Sequence, residues 1–121
     1  MRADVDEAAQ SGKRVVLMFT QDNCPYCAAL VERNLSQRQI ESTLKAKFDV
    51  IAVNLWGDRE IVGLDGKTYT EKTYGAALKI QFTPTLLFFD EAGAVVLRLN
   101  GYVPPPRFLA ALDWVGDKRE K

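Results

Sequence analysis

Histidine is absent from this 121-residue chain, and cysteine occurs only twice. The lack of an imidazole excludes histidine-based acid–base catalysis and any metal site that contains a histidine. Structural zinc generally takes four ligands from cysteine, histidine and carboxylate side chains, so two cysteines disfavour a closed zinc site within one chain. We therefore expect no resident metal.

An excess of one charge and a long hydrophobic run are also missing. The chain has 16 basic and 16 acidic residues and a formal net charge of zero, whereas binding to nucleic acid or to an anionic membrane calls for a basic excess. No apolar run approaches the roughly 20 residues that span a bilayer. The first residues are polar and show no leader peptide. We expect neither a nucleic-acid partner nor a membrane span.

Hydrophobic residues are plentiful, at 47% of the chain, which is enough for one core without help from a disulfide. We expect a single domain over residues 1–116, a frayed tail over 117–121, and a monomer. A polar segment with three glycines at about 57–67 is interpreted as an irregular insertion with a turn at Asp65-Gly66.

Apolar periodicity predicts the order helix, strand, helix, strand, helix, strand, strand, helix. The unbroken apolar run Val15–Phe19 is typical of a central strand buried on both faces. Strands joined through helices should be parallel, and a final hairpin adds an antiparallel pair. The other predicted elements are a helix at Asp4–Ser11, a helix from Cys24, a helix capped by Ser36 with Ile40, Leu44 and Phe48 on one face, a strand at Asp49–Trp56, a helix at Thr68–Lys79, strands at Thr85–Phe89 and Ala94–Leu99, and a last helix after Pro106.

The two cysteines form the motif Cys24-Pro25-Tyr26-Cys27 where the first strand leads into a helix. A Cys-x-x-Cys pair in this setting is the arrangement used for reversible thiol–disulfide exchange. Backbone N–H groups and the helix dipole favour a thiolate at the helix start, and Pro25 needs no N–H partner there. The motif predicts Cys24 as the nucleophile and Cys27 as the residue that resolves the mixed disulfide. A purely structural disulfide over so short a loop would stabilise little.

A second feature is Thr83-Pro84, which directly precedes an apolar strand. Proline at the start of a strand is often only structural, because that position tolerates a missing donor. Cis peptide bonds are also uncommon before proline, at about 5–6% in folded proteins. Taken alone, this dipeptide indicates no functional site.

Taken together, the Cys pair between strand and helix, Thr83-Pro84 before the hairpin and Gly101 after it resemble the thioredoxin superfamily over nearly the whole chain. The resemblance implies an α/β fold with a central mixed β-sheet of four to five strands, helices on both faces, and an insertion before the helix that precedes the cis-proline strand. It implies that the Thr83–Pro84 bond is cis, that its backbone binds substrate beside Cys24, and that Gly101 lines the same groove. The implied activity is protein disulfide oxidoreduction, in the reductive direction, with the Cys24–Cys27 disulfide and no bound cofactor.

Within this superfamily the chain is similar to bacterial periplasmic thioredoxin-like proteins of the SoxW type, in the segments 11–27 and 99–112 and in the longer insertion. Proteins of that branch are small reductases that receive electrons from a membrane thiol transporter. The resemblance implies disulfide-containing protein substrates, such a transporter as electron donor, and a periplasmic location, with the cytoplasm as the alternative.

Two departures concern the proton path. Met18 stands where ordinary thioredoxins carry a buried acid, and Ala52 stands in place of the lysine that accompanies that acid. Proton transfer to and from Cys27 must therefore use water or another group. Asp22 and Glu32 are candidates, although a solvated helix face is the common role for such residues.

Other departures keep two further functions open. Ordinary thioredoxins carry Trp-Cys-Gly-Pro-Cys, from which Asn23 and Pro25-Tyr26 depart, and Cys-Pro-Tyr-Cys is the pattern of glutaredoxins. Those proteins carry Thr-Val-Pro and a Gly-Gly pair for glutathione, whereas this chain has Thr83-Pro84 and no Gly-Gly at 99–102. Glutathione-dependent reduction is one alternative, and a non-catalytic, redox-sensitive binding module is another. Metal delivery by a Cys pair shared with a partner is a third.

Aromatic side chains surround the predicted site. Tyr26 lies between the cysteines, and Phe82 and Tyr102 flank the proposed groove. An apolar rim beside a reactive cysteine would suit an extended or unfolded polypeptide. Trp56, next to the insertion, is interpreted as a packing residue.

Overall fold

A computed structural model describes residues 2–118, with side chains described for 4–116. The helices and strands are α1 Arg2–Gln10, β1 Arg14–Thr20, α2 Pro25–Ala29, a π-helix at Leu30–Leu35, α3 Arg38–Lys47, β2 Phe48–Asn54, β3 Glu60–Val62, β4 Thr68–Thr70, α4 Glu71–Ala77, β5 Thr85–Phe89, β6 Val95–Asn100 and α5 Pro105–Lys118. Helix α5 includes positions 117 and 118, and the rest of the tail predicted at 117–121 lies outside the described residues.

A four-stranded mixed sheet in the order β2-β1-β5-β6 forms the centre of the fold. Strands β1 and β2 are parallel, as expected for strands joined through helices, while β5 is antiparallel to both β1 and β6. The predicted mixed sheet is therefore confirmed with four strands. The carboxyl ends of β1 and β2 lie at the same edge of the sheet as the amino end of β5. The Cys motif follows β1 at this edge, and Thr83 precedes β5 there.

Helices cover both faces of the sheet, and strand β1 shows why its sequence is apolar throughout. Val15, Leu17 and Phe19 pack on one face with side chains of α1 and α4. Val16 packs on the other face with side chains of the π-helix, α3 and α5. Because successive side chains of a strand point to opposite faces, a strand between two helical layers needs apolar residues at every position.

The insertion differs from the prediction. Residues 57–67 were expected to be irregular, but β3 and β4 form a separate antiparallel hairpin in which Glu60 pairs with Thr70. The helix expected from Thr68 begins at Glu71, because Thr68–Thr70 is strand β4. Thr70 is the N-cap of α4, and its hydroxyl accepts a hydrogen bond from the Thr73 N–H in a capping box.

The stretch around Ser36 also differs from the prediction. Ser36 ends the π-helix instead of starting α3, whose N-cap is Gln37. Phe48 does not continue the helix face of Ile40 and Leu44, because it is the first residue of β2. Both Ile40 and Phe48 still enter the same hydrophobic core, since that core lies between α3 and the sheet. The strand predicted to reach Trp56 ends at Asn54.

A buried carboxylate attaches the hairpin to the sheet. The Glu71 side chain is 3% exposed, and its Oε2 accepts hydrogen bonds from the Asn54 N–H at 2.9 Å and the Arg59 guanidinium at 2.8 Å. Its Oε1 accepts from the Arg59 N–H at 3.3 Å. A Cβ atom at Gly57 would lie 2.1 Å from Oε1, so the chain needs glycine at that position. The hydrogen bond from Arg59 holds the pKa of Glu71 below its ordinary value of 4.5.

We expect Glu71→Gln to destabilise the protein by about 2 kcal/mol, because an amide NH₂ must then face one of the two backbone N–H donors, of Asn54 and Arg59, that the buried carboxylate accepts from. Urea unfolding at neutral pH measures this change. Glu41→Gln is the matched control, since Glu41 forms an exposed pair with Lys45 and should contribute less than about 0.5 kcal/mol. A cost at Glu71 no larger than at Glu41 would contradict this role.

The same carboxylate predicts a pH dependence. Since the pKa of Glu71 is lowered in the folded state, its stabilising contribution is present above its ordinary value of 4.5 and is lost as the pH falls through the lower folded value. The stability difference between the native protein and Glu71→Gln should therefore shrink in acid. Unfolding curves recorded from neutral pH downward measure it, and a constant difference would contradict the assignment.

Within residues 2–118, no helix has the length and apolar character that crossing a bilayer would require.

Candidate active site

The Cys motif lies at the start of α2, where β1 and a short polar turn end. Cys24 is the N-cap residue and Cys27 lies inside the helix, and a disulfide joins their sulfur atoms. Cys27 is 8% exposed, whereas Cys24 is only partly buried. The sulfur that a second molecule reaches more easily is therefore that of Cys24.

Two hydrogen-bond donors converge on the Cys24 sulfur. The Cys27 N–H lies 3.2 Å from Cys24 Sγ, and Thr83 Oγ1 also lies 3.2 Å from it. A sulfur in a disulfide carries no proton, so the Thr83 hydroxyl is the donor in that contact. The Thr83 carbonyl oxygen is 3.6 Å from the same sulfur. Both donors would also stabilise a thiolate at this atom, because hydrogen bonds to charged acceptors are the stronger ones.

Thr83, Pro84 and Gly101 lie together beside Cys24. The Thr83–Pro84 peptide bond is cis. The Gly101 N–H donates to the Pro84 carbonyl oxygen at 2.8 Å, and Gly101 has a φ of +86°, which favours glycine. The structure thus brings the sequence-predicted site residues into one region, although Thr83 and Gly101 are distant from the Cys motif in sequence.

A groove runs along this region beside the disulfide. It has a volume of about 480 Å³ and is lined by Tyr26, Phe82, Thr83, Asn100, Gly101 and Tyr102. The Tyr26 and Phe82 side chains are 64% and 61% exposed, so they form an apolar rim. Such a rim next to an accessible sulfur fits an extended polypeptide segment.

On the other side of the motif, an open depression of about 790 Å³ reaches Cys27. Met18 lies in its wall and pairs with Ala52 on the neighbouring strand, so the two positions without the usual acid and lysine are adjacent. Asp22 is an exposed residue that lines the same depression as Cys27. Glu32 is exposed on the π-helix. The depression therefore connects Cys27 with the protein surface.

Sequence reasoning missed a buried asparagine that holds the groove wall. Asn34 is fully buried in the π-helix, where its amide donates to the Val103 carbonyl at 2.6 Å. Its oxygen accepts from the Tyr102 hydroxyl at 3.0 Å. A polar residue at an apolar helix position was the available signal, since a buried amide needs partners.

Gln21 and Trp56 were also missed as part of the site. Gln21 lies in the turn before Cys24, and its amide contacts both Trp56 and Thr83. Trp56 was interpreted as a packing residue, but its side chain is 60% exposed. Nothing in the sequence connects these positions, because the contacts depend on three loops that meet at one edge of the sheet.

Among the described residues, no group of three or more His, Cys, Asp or Glu side chains is placed to hold a metal ion.

A mixed four-stranded sheet between helical layers, with a Cys-x-x-Cys disulfide at a helix start, defines a thiol–disulfide oxidoreductase of the thioredoxin superfamily. The sequence profile of the thioredoxin-like domain matches residues 1–116. This chain therefore belongs to the thioredoxin-like domain family, and the superfamily and fold predicted from its sequence are confirmed.

Solved structures of several bacterial proteins share the fold. A thioredoxin-fold protein from Helicobacter pylori has a TM-score of 0.81 at 25% identity, covering 91% of this chain and 73% of its own. A thioredoxin from Thermus thermophilus has a TM-score of 0.73 at 28% identity, covering 97% and 84%. The periplasmic thioredoxin SoxS from Paracoccus pantotrophus, in its reduced form, has a TM-score of 0.59 at 20% identity, covering 88% and 98%. A comparison with curated proteins gives no match.

Proposed function

We propose that this protein reduces disulfide bonds in protein substrates, with Cys24 as the nucleophile and Cys27 as the resolving residue. The observation that carries this proposal is the setting of Cys24 Sγ. It is the more accessible sulfur of the pair, it receives hydrogen bonds from the Thr83 hydroxyl and the Cys27 N–H, and it lies beside an apolar-rimmed groove.

The first step starts from the reduced protein. The Cys24 thiolate attacks one sulfur of a substrate disulfide, so a bond forms between Cys24 and the substrate while the substrate S–S bond breaks. The released substrate sulfur leaves as a thiolate and takes a proton from solvent. The groove between Tyr26 and Phe82 holds the substrate chain during this step.

The second step frees the substrate. Cys27 gives its proton to water in the depression that contains Met18 and then attacks Cys24 Sγ. The bond between Cys24 and the substrate breaks, and the second substrate thiolate leaves and is protonated. Two electrons have then passed from the dithiol to the substrate, and the Cys24–Cys27 disulfide has formed.

A second dithiol must reduce this disulfide before the next cycle. We propose a membrane thiol transporter as that donor and the periplasm as the location. Support comes from the resemblance to periplasmic thioredoxin-like proteins of the SoxW type and from the structural similarity to SoxS, which is named as a periplasmic thioredoxin. No bound cofactor is required, because the two sulfur atoms carry the electrons.

Reduction of insulin by dithiothreitol tests this proposal. We expect the protein, at a concentration far below that of insulin, to accelerate the reaction over many turnovers. A parallel reaction with glutathione and a small mixed disulfide tests the glutaredoxin-like alternative, and we expect little acceleration there. No acceleration of insulin reduction would contradict the proposed function, and one stoichiometric exchange would instead indicate a non-catalytic module.

A further inference from the structure

A chain of side-chain hydrogen bonds ends at the Cys24 sulfur. The Trp56 indole N–H donates to Gln21 Oε1 at 2.7 Å. The Gln21 amide nitrogen donates to Thr83 Oγ1 at 2.7 Å, and Thr83 Oγ1 lies 3.2 Å from Cys24 Sγ. The three residues come from three separate loops, which follow β1, follow β2 and precede β5.

The direction of this chain follows from the chemistry of its members. An indole N–H can only donate, so the amide of Gln21 must turn its oxygen toward Trp56 and its NH₂ toward Thr83. The oxygen of Thr83 then accepts from that NH₂. Its single hydroxyl proton remains for the other described contact of the same oxygen, which is Cys24 Sγ.

Trp56 is itself held in place. Its backbone N–H donates to Asn54 Oδ1 at 3.0 Å. The Lys72 ammonium lies 5.8 Å from the centre of the indole ring, a cation–π distance. Although the side chain is 60% exposed, it therefore has a fixed position from which its N–H can orient the amide of Gln21.

We propose that Gln21 and Trp56 are positioning residues that direct the Thr83 hydroxyl proton to Cys24 Sγ and thereby favour the thiolate at Cys24. This inference rests on the proposed exchange chemistry of that sulfur. A hydrogen bond to a thiolate is stronger than one to a disulfide sulfur, because the acceptor is charged. The chain therefore stabilises the reduced protein relative to the oxidised one and increases the fraction of attacking thiolate. Hydrogen bonds in a chain polarise one another, so the first member affects the last.

The test uses Gln21→Met, which removes the amide at similar length, and Trp56→Phe, which removes the indole N–H. Iodoacetamide alkylation of the reduced proteins, measured against pH by mass spectrometry, reports the thiolate of Cys24. We expect the midpoint of the profile to move to higher pH in both variants. Below the midpoint, the rate should fall about threefold in Gln21→Met, which loses the donor to Thr83 itself. It should fall about twofold in Trp56→Phe, which loses only the indole N–H that orients this donor.

Equilibration with glutathione buffers measures the equilibrium constant between the dithiol and disulfide forms, which would not change if Gln21 and Trp56 had only a structural role. In Gln21→Met the equilibrium constant should shift about threefold toward the disulfide, which corresponds to about 14 mV. Gln37→Met and Trp114→Phe are matched controls at exposed positions away from the site, and both should match the native protein. Trp114→Phe also leaves Trp56 as the only tryptophan, so the fluorescence of this variant reports on Trp56 alone. Because the hydrogen-bond chain connects Trp56 to Cys24, this fluorescence should differ between the reduced and oxidised forms.

The double variant Gln21→Met/Trp56→Phe tests whether Trp56 acts through Gln21. Because Trp56 acts only through Gln21, the double variant should be no more affected than Gln21→Met alone. Additive losses, or single variants that behave like the controls, would overturn the proposal. Trp56→Phe keeps the test valid if Gln21→Met folds poorly, since it changes an exposed side chain. Native protein that reduces insulin while both variants match the controls would refute the positioning role and leave the proposed function standing.

Discussion

Replacing Cys24 with serine is expected to lower the protein-catalysed rate of insulin reduction by roughly a thousandfold or more, as for other enzymes that lose their nucleophile. The observed rate should then equal that of dithiothreitol alone. A serine hydroxyl is not ionised near neutral pH and cannot form the mixed disulfide. Its oxygen can still accept the hydrogen bonds that Cys27 N–H and the Thr83 hydroxyl give to Cys24 Sγ. The fold should therefore survive.

The control for this result is Cys27→Ser, which also removes the disulfide but keeps the proposed nucleophile. Thermal unfolding of both variants separates a loss of chemistry from a loss of structure. Undiminished insulin reduction by Cys24→Ser would contradict the assignment of Cys24.

Replacing Cys27 with serine is expected to trap the protein in covalent complexes with its substrates. Cys24 can still attack a substrate disulfide, but no second thiol is present to break the resulting bond, because the chain has only two cysteines. Multiple turnovers should fall about a hundredfold or more. Non-reducing electrophoresis followed by mass spectrometry should identify complexes joined through Cys24, and dithiothreitol should release them.

Burial makes this prediction asymmetric. Cys27 is 8% exposed and lies inside α2, so the Cys24→Ser variant should form far fewer such complexes through its remaining thiol. Equal trapping by the two variants would contradict the division into nucleophile and resolving residue.

Several parts of the fold and site are encoded locally and could be predicted from the sequence. The continuous apolar run at Val15–Phe19 requires helices on both faces of its sheet, and the structure has them. The Cys motif follows this strand at the start of a helix, as expected. The position of Thr83 beside Cys24 required the resemblance to the thioredoxin superfamily, since a Thr-Pro dipeptide before a strand carries no such information alone.

The hairpin of the insertion could not be predicted because its stability depends on distant contacts. The buried carboxylate of Glu71 accepts hydrogen bonds from Asn54 and Arg59. No periodic pattern of apolar residues in the sequence indicates that a carboxylate will be buried at this position. Thr68–Thr70 was assigned to a helix because helical sequence follows it. The β-branched and aromatic residues of this segment were a local sign of strand β4 that the helical periodicity outweighed.

The hydrogen-bond chain to Cys24 could not be predicted from the sequence at all. Gln21 belongs to a polar turn, and Trp56 is one aromatic residue beside a glycine. Their relation exists only because β1, β2 and β5 are neighbours and bring three loops to one edge of the sheet. The order of strands therefore determines which polar side chains surround the reactive sulfur.

The central claim is that the Cys24–Cys27 pair donates electrons to protein disulfides. The measurement that tests it most directly is the reduction potential of this pair. It is obtained by equilibrating the protein with glutathione buffers, alkylating the free thiols and measuring the reduced fraction by mass spectrometry. A value near that of thioredoxin, about −270 mV, is the predicted result. A value near −120 mV, at which the pair would oxidise its partners, would contradict it.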